Sequence, residues 1–368
     1  MTIPFLDLKR QYESIHYELE SAVAQAISEF RFVRGHQVPE FENQFKKITT
    51  GRHCISTGNC TDALFVALKN LGVKPGDEIL TPAFSWISSA QTITLCNATP
   101  VFVDVDARTY TIDPGLIEKN ITAKTRGIIL VHLYGQAAHA SAIREICNRN
   151  DLFLIEDCAQ AHLTQEDGGY AGTIGDIGTY SFYPTKNLGA YGDAGCVITN
   201  DDELAERIRR FSNHGALEKD DHLIEGMNSR MDTIQAAVLL SKLKYLKEWT
   251  KKRKQNADLY NSLLSDVSEI TLPFARANTD HTFHLYVIRT ARRDELKQFM
   301  KIKGVETMIH YPKALPNTSA YKYLNHTRED FPVSSRLQEE VLSLPIYPEL
   351  TEEEIEYVCN CIKEFFHD

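Results

Sequence analysis

The 368-residue chain has no long hydrophobic run, no surplus of positive charge, no C-x-x-C pair and no low-complexity or repeated segment. Each absence removes a class. Apolar stretches such as Gly127-Ile-Ile-Leu-Val-His-Leu-Tyr-Gly135 are far too short to cross a bilayer, so no membrane span is expected. Forty Lys and Arg against fifty Asp and Glu leave a formal charge of −10, and nucleic acids and anionic membranes are held by basic faces. Neither partner is expected, although a local positive pocket for one phosphate or a nucleotide remains compatible with the charge. The start, Met1-Thr-Ile-Pro-Phe-Leu-Asp-Leu-Lys-Arg10, lacks a basic segment leading into an apolar one, so no secretory leader is predicted and a cytoplasmic location is expected. The eight cysteines, Cys54, Cys60, Cys96, Cys147, Cys158, Cys196, Cys359 and Cys361, are scattered and read as buried free thiols. No metal site is predicted. His281 and His284 fall in a segment, 281–288, that reads as a strand, where positions i and i+3 face opposite ways. Gly172, Gly175 and Gly178 do not make a G-x-G-x-x-G after the first strand, which argues against a nicotinamide-dependent oxidoreductase.

What is present is an ordinary globular composition, 43% hydrophobic and 24% charged, in a chain longer than one core usually serves. Between residues 50 and 200, short apolar runs alternate with helical patterns. The runs are Cys54–Ser56, Glu78–Thr81, Val101–Val105, Gly127–Val131, Leu152–Ile155 and Thr179–Phe182; Asp62–Asn70 and Ala90–Leu95 read as helices. That alternation predicts an α/β fold with a mostly parallel sheet flanked by helices. A continuous helical pattern from Met231 to Leu264 is expected to cross into a smaller C-terminal α+β domain. The predicted division is a large domain, 1–247, and a small one, 248–368. The small domain is read as strand His284–Ile288, helix Arg293–Lys303, strand Glu306–His310 and helix Glu352–Phe366.

Ligands in such sheets bind beyond the carboxyl ends of the strands. Three segments there carry chemistry. In Ser56-Thr-Gly-Asn-Cys-Thr-Asp-Ala-Leu64, small polar residues run into a helix start, which serves either as a phosphate cradle or as a simple cap from Asn59 or Thr61. Phe153-Leu-Ile-Glu-Asp-Cys-Ala-Gln160 delivers Glu156 and Asp157 to a strand end, placed either to hold a protonated heteroaromatic nitrogen or to cap a helix. In Gly178-Thr-Tyr-Ser-Phe-Tyr-Pro-Thr-Lys-Asn-Leu-Gly189, Lys186 follows a strand. Partly withdrawn from water it forms a Schiff base; otherwise it is a surface lysine.

In that order on one α/β domain, the three segments are the fittings that pyridoxal 5′-phosphate requires. The chain resembles the DegT/DnrJ/StrS family of nucleotide-sugar aminotransferases, of the aspartate-aminotransferase fold. The resemblance rests on Phe5–Leu8, Gly35–Glu42, Gly58–Leu64, Ala98–Asp106, Glu156–His162, Ser181–Gly189, Gly226–Arg230 and Ile309–Pro312. It implies that Lys186 bonds the cofactor and then moves the proton in transamination, that Asp157 pairs with the pyridine nitrogen, and that Gln160 reaches the phenolic oxygen. Cys60, Thr61 and Ser181 would hold the phosphate, and Trp86 would stack on the ring. Asn228 would reach the phosphate of a neighbouring subunit, implying a homodimer with shared sites.

The resemblance further implies L-glutamate, becoming 2-oxoglutarate, as amino donor and a nucleotide-linked keto-sugar as acceptor, in amino-sugar synthesis for surface polysaccharide. Val131–Gln136 and Ile309–Pro312 look like members that aminate C3 of a dTDP-3-keto-6-deoxyhexose, with Tyr183, His310 and Tyr311 as substrate contacts; C4 amination or a UDP- or GDP-linked sugar is the alternative. Related dehydratases carry histidine in place of the lysine. A non-catalytic regulatory protein on the same fold is the rival from another class, and the intact Asp157, Gln160 and Lys186 set speaks against it. Three departures stand out: Cys60 replaces a common glycine, Leu163-Thr164 a usual Gly-Ala, and Glu166-Asp167 a frequent aromatic–basic pair, which is expected to affect the substrate end of the site.

Overall fold

The computed structural model describes residues 1–367. In chain order the strands are β1 (His53–Thr57), β2 (Glu78–Pro82), β3 (Thr99–Val103), β4 (Thr125–Val131), β5 (Phe153–Asp157), β6 (Gln165–Glu166), β7 (Gly169–Tyr170), β8 (Ile177–Ser181), β9 (Gly195–Thr199), β10 (Thr279–Asp280), β11 (Tyr286–Arg289) and β12 (Val341–Leu344). The α-helices are α1 (Leu8–Ser28), α2 (Gln37–Thr49), α3 (Cys60–Asn70), α4 (Ser88–Leu95), α5 (Ala140–Asn150), α6 (Asp202–Phe211), α7 (Thr233–Leu243), α8 (Leu246–Leu263), α9 (Arg293–Ile302), α10 (Pro332–Glu340) and α11 (Glu352–His367).

Seven strands form the main sheet in the order β1-β9-β8-β5-β4-β2-β3. The run β8-β5-β4-β2-β3 is parallel, while β9 is antiparallel to both β8 and β1. Consequently β1 points the same way as the parallel strands, and its carboxyl end lies on their side of the sheet. Side chains alternate across each strand. Ile129, Ile155 and Val197 pack with Leu64 and Ile93 on one face. Ile128, Leu130 and Leu154 pack with Ile143 and Ile146 of α5 on the other, and Phe41 and Phe45 of α2 pack with Tyr180 and Ile198 further along. Both faces are therefore covered, as apolar parallel strands demand.

A further core gathers Tyr260, Tyr286, Leu296, Leu342, Leu344 and Ile362 around the antiparallel pair β11–β12. Ile3 belongs to it. Its N–H donates to Gly304 O at 2.9 Å and its carbonyl accepts from Glu306 at 2.9 Å, so Ile3 packs with the C-terminal elements.

Several sequence expectations are corrected in detail. The pattern over Met231–Leu264 is two helices, broken at Lys244 and Tyr245, where Tyr245 stacks on Trp249 at 5.7 Å and joins Ile15, Leu19 and Val238. The predicted strand over 281–288 begins only at Tyr286. Phe283 has φ 44°, its N–H donates to His281 Nδ1 at 2.9 Å, and the Thr282 N–H donates to Gly135 O at 3.1 Å, all of which turn the chain out of an extended line. Glu306–His310 makes one isolated bridge, Met308 with Ser343, after another at Val305 with Ile3. Strand β9 has no counterpart among the expected runs.

Glu166, one of the departures from the family pattern, is buried beneath α5. Its carboxylate accepts from the N–H groups of Ala140 and Ser141 at 2.9 and 3.2 Å and pairs with Arg276 at 2.9 Å. It offsets the positive end of α5 and does not line the cleft described below. Replacing it leaves two helix-end donors and a guanidinium uncompensated. Glu166→Ala should cost about 2 kcal/mol in equilibrium urea unfolding; an unchanged midpoint would contradict this role.

Candidate active site

The carboxyl ends of β1, β2, β5 and β8 converge on a cleft of about 710 Å³. Asp157 is the last residue of β5. Because neighbours on a strand face opposite ways, Glu156 and Asp157 enter different environments. Glu156 is fully buried and accepts hydrogen bonds from the N–H groups of Gly172 at 2.8 Å, Ile174 at 2.8 Å and Gly175 at 2.6 Å, while its Oε2 lies 2.9 Å from His132 Nε2. His132 Nδ1 accepts from the Ala138 N–H at 3.1 Å, so the proton shared with Glu156 lies on Nε2. Glu156, His132 and Cys158 have the composition of a ligand cluster, yet hydrogen bonds within the protein already engage the imidazole and the carboxylate.

Asp157 turns to the cleft. Its Oδ1 accepts from the Ala159 N–H at 3.0 Å, and Oδ2 has no protein donor among the described residues. Burial pushes its carboxyl above the usual range, opposed by the Ala159 N–H, Lys186 and His132. Lys186 lies in the turn after β8. Its N–H donates to Tyr183 O at 2.9 Å, and Ala190 N–H closes the turn on Phe182 O at 2.8 Å. Burial pulls the Lys186 ammonium below the ordinary lysine value, while Asp157 and Cys60 favour the charged form. Each member of the pair thus supports the other's charge against the dehydrating effect of the cleft.

The N-terminus of α3 carries a side-chain cap and leaves backbone donors beside it. Asn59 Oδ1 accepts from the Asp62 N–H at 2.8 Å, and the N–H groups of Cys60 and Thr61 keep no acceptor among the described residues. Gly195, opening β9, permits this approach. A Cβ there would stand 2.5 Å from the Asn59 carbonyl carbon and 2.7 Å from Cys60 N. The Thr61 and Ser88 hydroxyls lie 2.8 Å apart, bringing the starts of α3 and α4 together. Ser181, at the end of β8, faces the same space.

Trp86 lines the cleft with its side chain 60% exposed, 5.7 Å from the Tyr311 ring. Gln160 Oε1 accepts from the Tyr134 N–H at 2.7 Å and Nε2 donates to the Tyr311 hydroxyl at 2.9 Å, which leaves one N–H. Tyr183 and His310 also line the cleft; burial draws the His310 imidazole down to about 4, and Nδ1 lies 2.9 Å from the Ser343 hydroxyl. Asn228 is exposed and does not line the cleft of its own chain. Several residues at or beside the cleft escaped the sequence reading, Asn187 and Ser88 among those with partners. Asn187, next to Lys186, lies 3.1 Å from His284 Nδ1, and its Nδ2 donates to Thr282 O at 3.4 Å, so residues 282–284 grip the lysine turn. For Ser88, a run of serines at a helix start was the only signal.

The profile of the DegT/DnrJ/EryC1/StrS aminotransferase family matches residues 13–363. The chain belongs to this family. It is similar to the dTDP-3-amino-3,4,6-trideoxy-alpha-D-glucose transaminase of Streptomyces venezuelae, at 38% identity over 99% of this chain and 96% of that one. It is similar, at 42% identity over 100% and 99%, to a protein of Geobacillus stearothermophilus named a pleiotropic regulatory protein. The fold matches the crystal structure of S. venezuelae DesV in complex with a ketimine intermediate, with TM-score 0.98, 38% identity and coverage of 100% and 99%. The protein is thus an aminotransferase of the pyridoxal-phosphate-dependent class, on the expected α/β fold.

In this aminotransferase all eight cysteines are buried and free, and burial beside Asp157 raises the Cys60 thiol well above its ordinary value. A thiol attacks a disulfide reagent through its thiolate. The native protein at pH 8 should therefore react negligibly with Ellman's reagent, and eight thiols should titrate after denaturation. Rapid native-state labelling at the Cys60 peptide would contradict this.

Proposed function

We propose that the enzyme transfers the amino group of L-glutamate to a nucleotide-linked keto-sugar, giving 2-oxoglutarate and a dTDP-3-amino-3,6-dideoxyhexose. The observation that carries this reading is the convergence of Lys186, Asp157 and the free N–H groups of α3 on one cleft. This donor set fits pyridoxal phosphate: an amine for its aldehyde, a buried carboxylate for its ring nitrogen, and a helix N-terminus for its phosphate. When bound, the cofactor supplies the electron sink for the pair released at the α-carbon of the donor.

The chain's own residues would do the rest. Asp157, with Oδ2 free, would hold the ring nitrogen and keep it protonated. The N–H groups of Cys60 and Thr61, with the Ser181 and Thr61 hydroxyls, would take the phosphate. Trp86 would cover one ring face, and the spare N–H of Gln160 would reach the phenolic oxygen. Lys186 Nζ would receive the proton from the α-carbon and return it on the acceptor side, burial favouring the neutral amine that a base must be. Tyr183, His310 and Tyr311, at the cleft, would face the sugar nucleotide. Of the segment 131–136, His132 and Gln136 are buried away from the cleft, so the C3 assignment leans on the S. venezuelae relative and on Ile309–Pro312.

A cytoplasmic homodimer belongs to the same reading, with Asn228 presented to a partner's cleft rather than to its own, as does a cofactor-binding unit ending near residue 247. The G. stearothermophilus relative is named a pleiotropic regulatory protein, which supports a regulatory role as the second reading.

Borohydride reduction of the yellow holoenzyme should fix the cofactor on the Lys186 peptide, read by mass spectrometry; label elsewhere would sink the assignment. Asp157→Asn should lower kcat roughly 100-fold or more while leaving the thermal midpoint close to wild type. A panel of 3-keto and 4-keto sugars, linked to dTDP, UDP or GDP and incubated with glutamate, should yield amino-sugar with the dTDP-linked 3-keto compound. Product only from a 4-keto, UDP- or GDP-linked compound would overturn the finer assignment, and no product from any would favour the regulatory reading.

A further inference from the structure

Lys242, on α7, is fully buried; Glu349 attracts its charge from beyond ion-pair distance, and no carboxylate lies closer than that among the described residues. Its ammonium makes one hydrogen bond, from Nζ to Gly189 O at 2.8 Å, and sits 4.2 Å from the centre of the Tyr191 ring. Burial pulls its proton affinity down to about 8, so the ammonium is held there at a cost to stability. Gly189 closes the neck of the turn that carries Lys186. A Cβ at that position would stand 2.3 Å from Pro184 O, so the two ends of the turn touch. Two turns earlier on the same face of α7, Gln235 Oε1 accepts from the Tyr191 N–H at 2.9 Å. Thus α7 grips the segment just beyond the lysine turn at two points, and one of them is a buried cation.

We propose that Lys242 is a positioning residue that, through the Gly189 carbonyl, sets the geometry of the turn presenting Lys186 to the cleft. A charged donor in a dry environment holds a carbonyl more firmly than a neutral one. A side chain serving only to fill space could be apolar there, which would avoid the cost of dehydrating a charge. The location, on the carbonyl at the neck of the turn, gives the ammonium a reason to stay. The inference rests on Lys186 being the working lysine.

The test compares Lys242→Met, Lys242→Arg and Lys186→Ala in the full-length holoenzyme. In Lys242→Met, kcat for the glutamate half-reaction should fall roughly ten- to a hundred-fold, with KM for glutamate within about two-fold of wild type. Amide hydrogen exchange over residues 183–192 should speed up, and the thermal midpoint should equal or exceed that of wild type. Lys242→Arg, which keeps a charged donor, should restore most of kcat and of the exchange protection. Unchanged kcat and exchange in Lys242→Met would overturn the proposal. So would equal damage in both Lys242 variants, or failure of Lys242→Met to fold, since the side chain would then be holding the fold rather than the turn. Lys186→Ala separates the two levels: wild-type turnover in that variant removes the reading of the site itself, whereas an inactive Lys186→Ala beside an unaffected Lys242→Met removes only the role of Lys242.

Discussion

Two adjacent carboxylates at the end of a buried strand impose the constraint on which the site depends. Glu156 has no water to turn to, and it is kept by three backbone N–H groups of the 172–175 loop and the imidazole of His132. A buried acceptor with that many donors fixes whatever supplies them. It therefore ties the loop leading into β8 to the end of β5, and the segment after β4 to both. With Glu156 held on one side, strand geometry sends Asp157 to the other, into the cleft. The position of the cleft-facing acid is thus a by-product of satisfying its neighbour.

The same dehydration that makes Glu156 a structural anchor gives the cleft its chemistry. Burial raises the proton affinity of Asp157 and lowers that of Lys186, and their mutual attraction works against both shifts. An amine that releases its proton readily and an acid with one oxygen free of protein donors are costly groups for a folded chain to hold. They are held because each lies at the end of an element fixed elsewhere: Asp157 by the β4 and β8 ladders, Lys186 by a turn gripped between α7 and residues 282–284. Tyr311, packed beside Phe84 and Tyr134, closes the arrangement through its bond to Gln160.

Much of this was legible along the chain, and the misses share a cause. Strands β1, β2, β4 and β5 announce themselves as apolar runs because both faces of the sheet are covered, and Lys186, Asp157 and Cys60-Thr61 stand directly after such runs or at their ends. Strand β9 is just as apolar but reads no differently from a loop followed by α6, and its antiparallel insertion between β1 and β8 is a matter of pairing partners far along the chain. His132 in Val131–Gln136 looked like part of a substrate-typing segment, yet its ring is bonded to Glu156. Glu166 looked like a change at the substrate end, yet it caps α5 and pairs with Arg276, 110 positions away. Periodicity cannot report a hydrogen bond that closes only when distant segments meet.

Local order of chemical types was therefore legible in the sequence: a small polar helix start, a strand-end acid and a lysine turn, arranged on alternating strands and helices. Which acid faces the cleft, which polar residues are anchors rather than contacts, and what restrains the lysine were decided by tertiary structure. The reason is physical. A residue type fixes what a side chain can donate, accept or neutralise, but its partners and its distance from water are set only when the sheet, α7 and the C-terminal core close around it.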